Sequence, residues 1–370
     1  MTLIEYLETV RDPRENRGQR YALSQLLFIA LLGSLCGYYG YRPLAQFCKK
    51  HHQRFLQLLG KPPGTKLMPS YSTFRRIFLQ VDAQVWVDAF NLWSVTHAPA
   101  LAGHLWSIDG KSIKCTSTGG HTSEQNFASL VSVYGQDAGV VQIALMYNAK
   151  QSEIGVAQQL LKAVKKAPTL SQSLDLGFSL DALHTVVPTL ELMESQAQNY
   201  IVCLKVNQKN LYRQLETLRS EGRAISQANR TEKKHGRTVK RTVWVYPAPE
   251  LPKRWKDCGI SRVVWVHRQG FRDGKRFEEM QCYLSNWLLD AETFLGLIQS
   301  HWQIENGLHW VKDVTLKEDY PPRRGGFAPI SWAVINSFII TLARRLKHRT
   351  IPDFIRDVTN DVERIFSWLT

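Results

Sequence analysis

The chain has 370 residues, enough for two or three domains that each bury a core. Apolar residues make up 44% and charged residues 21%, which excludes a disordered polar chain. With 47 Lys+Arg against 32 Asp+Glu the net charge is +15, an excess that favours a polyanionic partner, nucleic acid before an anionic membrane surface. The excess is localised. Residues 1–108 hold 12 basic and 6 acidic side chains and residues 222–290 hold 15 and 7, whereas 109–221 (10 and 10) and 291–370 (10 and 9) are nearly neutral. Two basic segments beside a neutral remainder suit a catalytic core with separate DNA-holding parts.

The first hundred residues read as helical. Residues 21–41 carry no charge, but serines, a glutamine and three glycines interrupt them, so a buried helix capped by Ser24 and ending at Leu35 is expected rather than a membrane span. A second amphipathic segment, 41–59, ends at Gly60-Lys61-Pro62-Pro63-Gly64. Ser70 or Ser72 caps a third helix and Asp82 a fourth. Glu5 and Glu8 stand where a signal peptide would be basic, and the six scattered cysteines lack zinc-ligand spacing and suit a reducing compartment.

From His104 the texture changes. Residues 105–110 read as a strand ending in a turn at Gly110, and 127–134 with 140–147 as a hairpin. A helix (154–166), a short strand (178–181), a helix (187–198), a strand (200–206) and a helix from Gln208 follow. That order is the ribonuclease-H-like α/β one. Residues 222–290 predict a basic β-rich insertion with strands at 239–246, 262–268 and 280–285, after which helical periodicity returns. The expected division is a helical DNA-binding domain (1–100), a ribonuclease-H-like core (101–221 and 291–345), the insertion (222–290) and a helical tail (346–370).

Nucleases of this fold hold hard divalent cations with carboxylates from separate elements. Asp109 and Asp181 end the first and fourth expected strands, and Glu305 lies on a later helix. The stretches Ser107-Ile108-Asp109-Gly110-Lys111, Leu180-Asp181-Ala182-Leu183-His184-Thr185 and His301-Trp302-Gln303-Ile304-Glu305-Asn306-Gly307-Leu308-His309-Trp310 resemble the acid-bearing motifs of H-repeat-associated insertion-sequence transposases of the DDE class. Arg11-Asp12-Pro13-Arg14, Ser70-Tyr71-Ser72-Thr73-Phe74-Arg75-Arg76, Leu204-Lys205-Val206-Asn207-Gln208, His235-Gly236-Arg237 and Lys317-Glu318-Asp319 extend the resemblance over about residues 10–345. It departs from the wider pattern at Ile298 and His301, where Tyr and Arg are usual, and at Val206, where Gly is usual; Lys312 fits.

The resemblance implies metal-dependent cleavage and strand transfer at the ends of an insertion sequence. Asp109, Asp181 and Glu305 would be the catalytic metal ligands. Mg²⁺ is the expected ion and Mn²⁺ its substitute. Double-stranded DNA is the expected partner, bound by a homodimer in the bacterial cytoplasm at the nucleoid, with no membrane involved. DNA contacts are expected from Arg75 and Arg76 on the third helix, from Lys233, Lys234, Arg237, Lys240 and Arg241 in the insertion, and from His301 and Lys312, which at 100° per residue share a face with Glu305 and His309. The histidines of that helix are expected to line its DNA-facing side, ahead of a zinc site. Trp244, Trp255 and Trp265 read as core, and residues 344–349 either bind phosphate or are solvated. A nuclease of the same fold without joining activity, or a non-catalytic DNA-binding descendant of a transposase, is the alternative function.

Overall fold

The computed structural model describes residues 1–97, 105–119, 125–135, 137–166, 177–234, 237–272, 275–321 and 323–370. Nine strands occur among them. They are β1 (Leu105–Ser112), β2 (Ala128–Gly135), β3 (Gly139–Tyr147), β4 (Gly177–Leu180), β5 (Asn199–Leu204), β6 (Ser226–Lys234), β7 (Arg237–Pro247), β8 (Arg262–Arg272) and β9 (Lys275–Ser285). The chain forms two compact units: Met1–Pro99 with Gly110–Ser152 and Gly307–Thr370, and Ala100–Asp109 with Glu153–Asn306.

The first unit opens with helices whose starts follow capping chemistry. Thr2 and Glu5 form a reciprocal capping box before Leu3–Thr9, Ser70 accepts from the Thr73 amide before Tyr71–Gln80, and Asp82 accepts from Gln84 before Ala83–Thr96. Helix Leu23–Leu35 buries residues on every side, so it is a core element. Among the described residues no helix is long and apolar enough to cross a membrane. Two expectations are corrected here. Ala22, not Ser24, precedes the first turn and makes no side-chain cap. The 41–59 segment is two helices, Tyr41–Lys50 and His52–Leu58, broken at His51.

In the same unit β2 and β3 form an antiparallel hairpin, and the order is β3-β2-β1. Gly139 opens β3 at φ +70, and a Cβ there would stand 2.6 Å from the Thr341 Cα, so only glycine fits. Thr341 belongs to the buried helix Ala328–Arg345. At its end Arg345 turns inward to the carbonyls of Ser94, His97 and Ala138, while Arg344 bonds the Gly307 carbonyl. These two arginines of the 344–349 run serve the fold.

In the second unit β1, β4 and β5 are parallel, β9 joins β5 antiparallel, and β8, β7 and β6 continue as a meander. The order there is β1-β4-β5-β9-β8-β7-β6. Helices Glu153–Lys166, Val187–Ser195, Lys209–Glu221 and Ala291–Ile304 accompany it. The order β3-β2-β1 in one unit and β1-β4-β5 in the other is the expected ribonuclease-H-like arrangement. The β-rich segment extends that sheet through β9 and contains one strand, β6, that its polar sequence hid. Val243, Val245, Val264 and Val266 of β7 and β8 pack with Phe294, Leu295 and Ile298 of helix Ala291–Ile304, which fixes that helix on the sheet.

Candidate metal centre

Strand register brings the first two acids together. Ser107 pairs with Ser179 and Ile108 with Leu180 across β1 and β4. Asp109 and Asp181 are therefore the next residues on parallel strands roughly 4.8 Å apart. Side chains two apart on a strand share a face, and the serines confirm which one: Ser107 Oγ lies 2.9 Å from Ser179 Oγ. β1 runs on through Ser112, so Gly110 continues the strand and the expected turn there is absent. β4 ends at Leu180, one residue before the expected end, and Asp181 begins a short 3₁₀ turn.

The same serines seat the helix that carries the third acid. His301 Nδ1 lies 2.8 Å from Ser179 Oγ, and Glu305 follows four residues later, one helical turn on. Carboxylate oxygens of Asp109 and Glu305 lie within 4.8 Å of each other. Burial lowers the His301 pKa, opposed by the nearby Asp181 and Glu305 carboxylates. Asp181 is half exposed and Glu305 exposed, so solvent reaches the acids. Oxygen donors of Asp109 and Glu305 at this spacing fit a hard divalent cation, and the register places Asp181 next to Asp109.

The Asp181 mount is rigid. Asp181 Oδ1 accepts from the Leu183 amide at 2.8 Å. Asn207 donates to the Ala182 carbonyl at 2.9 Å, Gln208 to the Thr185 carbonyl at 3.0 Å, and Thr185 Oγ1 to Cys203 at 2.6 Å. Val206, where glycine is usual, precedes this pair without preventing either bond. Sequence reasoning missed Ser107 and Ser179, although the repeated Ser-x-Asp spacing on two strands was a visible signal.

The remaining expected DNA contacts divide. Arg75 and Arg76 are exposed on helix Tyr71–Gln80, whose other face buries Phe74, Ile77 and Phe78. Lys233 and Lys240 are exposed. Arg241 is mostly covered and pairs with Glu232 at 2.5 Å, which corrects its assignment to phosphate. His235 and Gly236, and the side chains of Lys234 and Arg237, lie outside the described residues.

Lys312 is a second correction. Residues Glu305–His309 and Val311–Thr315 are wound as π-helix, whose i→i+5 bonding breaks the 100° spacing assumed for a shared face. Lys312 is 1% exposed with its Nζ 3.9 Å from Glu318, and burial lowers its pKa. His309, at the far end of the first π turn, is also buried rather than DNA-facing. Trp255 and Trp265 are buried as expected.

Known proteins resemble this chain in sequence. The family described as Transposase DDE domain matches residues 105–320, and the DDE_Tnp_1-associated family matches residues 4–94. "Putative transposase YncI" of Escherichia coli O157:H7 is 25% identical over 94% of this chain and 88% of its own length. "H repeat-associated putative transposase YhhI" of Escherichia coli K12 is 23% identical over 89% and 86%. "Uncharacterized protein in dhlA 3'region" of Xanthobacter autotrophicus is 24% identical over 77% and 94%. The chain belongs to the DDE transposase domain family.

Proposed function

We propose that this chain is a transposase that cleaves DNA at the ends of an insertion sequence and joins the freed ends to a target. Asp109, Asp181 and Glu305 act in it as the ligands of divalent cations, Mg²⁺ with Mn²⁺ as substitute. The observation that carries the reading is the convergence itself. Register aligns Asp109 with Asp181, and the His301–Ser179 bond delivers Glu305 to within 4.8 Å of Asp109. Cations held there supply activation of an attacking hydroxyl and stabilise the departing oxygen at phosphorus.

The protein's own groups supply placement. Ser107 and Ser179 lock β1 to β4, and His301 fixes the pitch of the helix that presents Glu305. Arg75 and Arg76 on the N-terminal helix, with Lys233 and Lys240 on the β6–β7 hairpin, grip duplex phosphates. The protein works as a homodimer on DNA, since two ends must be joined. The test is incubation of the protein with labelled DNA carrying the element's ends plus Mg²⁺, followed by separation of nicked and joined products. Asp109→Asn, Asp181→Asn and Glu305→Gln should each reduce both products to background while DNA affinity stays within a few-fold. Full cleavage by any of the three at saturating Mg²⁺ overturns the assignment.

A further inference from the structure

We infer that His184 is a positioning residue for Asp181, acting with Glu153; the inference rests on Asp181 being a cation ligand. His184 closes the 3₁₀ turn Ala182–His184 that Asp181 begins, and it is 0% exposed. Among the described residues neither of its ring nitrogens has a hydrogen-bond partner, an uncommon state for a buried imidazole. Its Nε2 nevertheless faces two carboxylates, with Glu153 Oε1 at 3.4 Å and Asp181 Oδ1 at 4.0 Å. A nitrogen facing two acceptors carries its hydrogen on that side, so Nε2–H is directed at the two carboxylates, with Glu153 the nearer.

The surroundings make this placement specific. Glu153 opens the helix Glu153–Lys166, where the positive end of the helix dipole favours its charge and holds it beside the imidazole. Asn207 bonds the Ala182 carbonyl, Gln208 the Thr185 carbonyl and Thr185 the Cys203 carbonyl, so the backbone on either side of His184 is tied down. Asp181 Oδ1 already accepts from the Leu183 amide and is the oxygen nearest His184. The Leu183 bond and the facing imidazole act on the same oxygen, which orients the carboxylate and leaves Oδ2 for the cation. Groups behind a ligand in this way tune cation affinity by about 10- to 100-fold when removed.

Cation uptake by the full chain without DNA tests this, using Mn²⁺ titration followed by the electron paramagnetic resonance of the free ion. His184→Phe fills the buried volume without a donor and should weaken Mn²⁺ binding at least about tenfold. Glu153→Gln should weaken it less, in the same direction. His184→Gln, which restores an N–H, should recover most of the wild-type affinity. Thermal melting in chelator separates a folding defect from a positioning one. The inference is overturned if His184→Phe keeps wild-type Mn²⁺ affinity, or if the Phe and Gln variants lose affinity equally. A wild-type chain that takes up no Mn²⁺ overturns it together with the metal reading of Asp181. A wild type that takes up Mn²⁺ yet cuts no DNA defeats the proposed activity and leaves His184 in place.

Discussion

Each unit gathers acids, but different partners hold them. In the first unit lysines do so. Lys111 Nζ lies 2.6 Å from Asp313 and 3.3 Å from Asp319, Lys114 reaches Asp319 at 2.5 Å, and Lys312 faces Glu318 at 3.9 Å. Burial opposes the charge on Lys111, yet Asp313, Glu318 and Asp319 hold its pKa above the ordinary value. In the second unit Asp181 leans on a backbone amide, and Glu305 is delivered by an imidazole seated on a serine. Acids served by fixed ammonium groups are parts of the fold. Acids aligned by strand register and neutral donors are the ones proposed to hold a mobile cation.

The sharpest way to break this contrast sets Glu305→Gln against Lys312→Met. Glu305→Gln should abolish cleavage and leave the melting temperature near wild type. Lys312→Met takes from the buried Glu318 the ammonium group it faces and leaves it the Asn336 amide, 2.9 Å away, and the charge of Lys111. It should therefore cost about 3–5 kcal/mol of stability. Adding Glu318→Leu should recover most of that loss, because a buried ion pair and an apolar pair of similar volume are nearly equivalent. Lys312→Met with an unchanged melting temperature and weakened DNA binding would return Lys312 to the phosphate.

Acid titration probes the lysine-held cluster next. Burial pushes the Asp319 carboxyl up, but Lys114 and Lys111 more than offset this, and its pKa falls below 3.8. A depressed folded-state pKa gives stability that is present above the unfolded value and lost as pH falls through the folded one. Wild-type stability should thus decline below about pH 4, and Asp319→Asn should be less stable at neutral pH with a shallower decline. Identical acid limbs in urea denaturation of the two proteins would show that Asp319 is not the titrating group.

A smaller effect belongs to the serine seat. Ser179→Ala removes the hydroxyl that bonds both Ser107 and His301. Leaving buried groups without a partner should cost about 1–3 kcal/mol. Cleavage should fall several-fold with the cation requirement raised, since Glu305 is displaced rather than deleted. Ser107→Ala should show the stability loss with a milder effect on cleavage, because His301 keeps its bond. Equal cleavage by both serine variants would remove the seat from the mechanism.

Much of this was legible in the sequence, and the parts that were not share a cause. Acids following apolar strand residues and capped helices are local signals, so Asp109 within β1, Asp181 after β4, and the caps Ser70 and Asp82 could be placed from their neighbours alone. Gly110 misled because Asp-Gly suits a turn, whereas here pairing extends the strand to Ser112. Lys312 misled because regular 100° spacing was carried across Glu305, where the backbone becomes π-helical. β6 was hidden because its alternation is polar on polar: Arg230 and Glu232 bond Gln299, and Arg230 also pairs with Glu292, both on helix Ala291–Ile304. Tertiary partners decided those residues, and no window of sequence contains them.

That polar alternation yields the subtlest prediction. In the β6–β7 ladder Arg230 stands opposite Arg241 and Thr231 opposite Lys240, with Lys233 two residues beyond Thr231. Cross-strand partners share a face and neighbours along a strand alternate, so Arg230, Glu232 and Arg241 occupy one face while Lys233 and Lys240 occupy the other. The first face bonds helix Ala291–Ile304 through Gln299 and Glu292, and its arginine charges are matched by Glu232 and Glu292. The second carries exposed lysines. Each phosphate contact on duplex DNA contributes a slope of about 0.9 to the logarithmic salt dependence of binding. Replacing both Lys233 and Lys240 with alanine should therefore flatten that slope by about 1.8 with no change in melting temperature. Arg241→Ala should do the reverse, lowering the melting temperature and leaving the slope alone. If Arg241→Ala flattens the slope and the double lysine variant does not, the face of the hairpin that meets DNA is the opposite one.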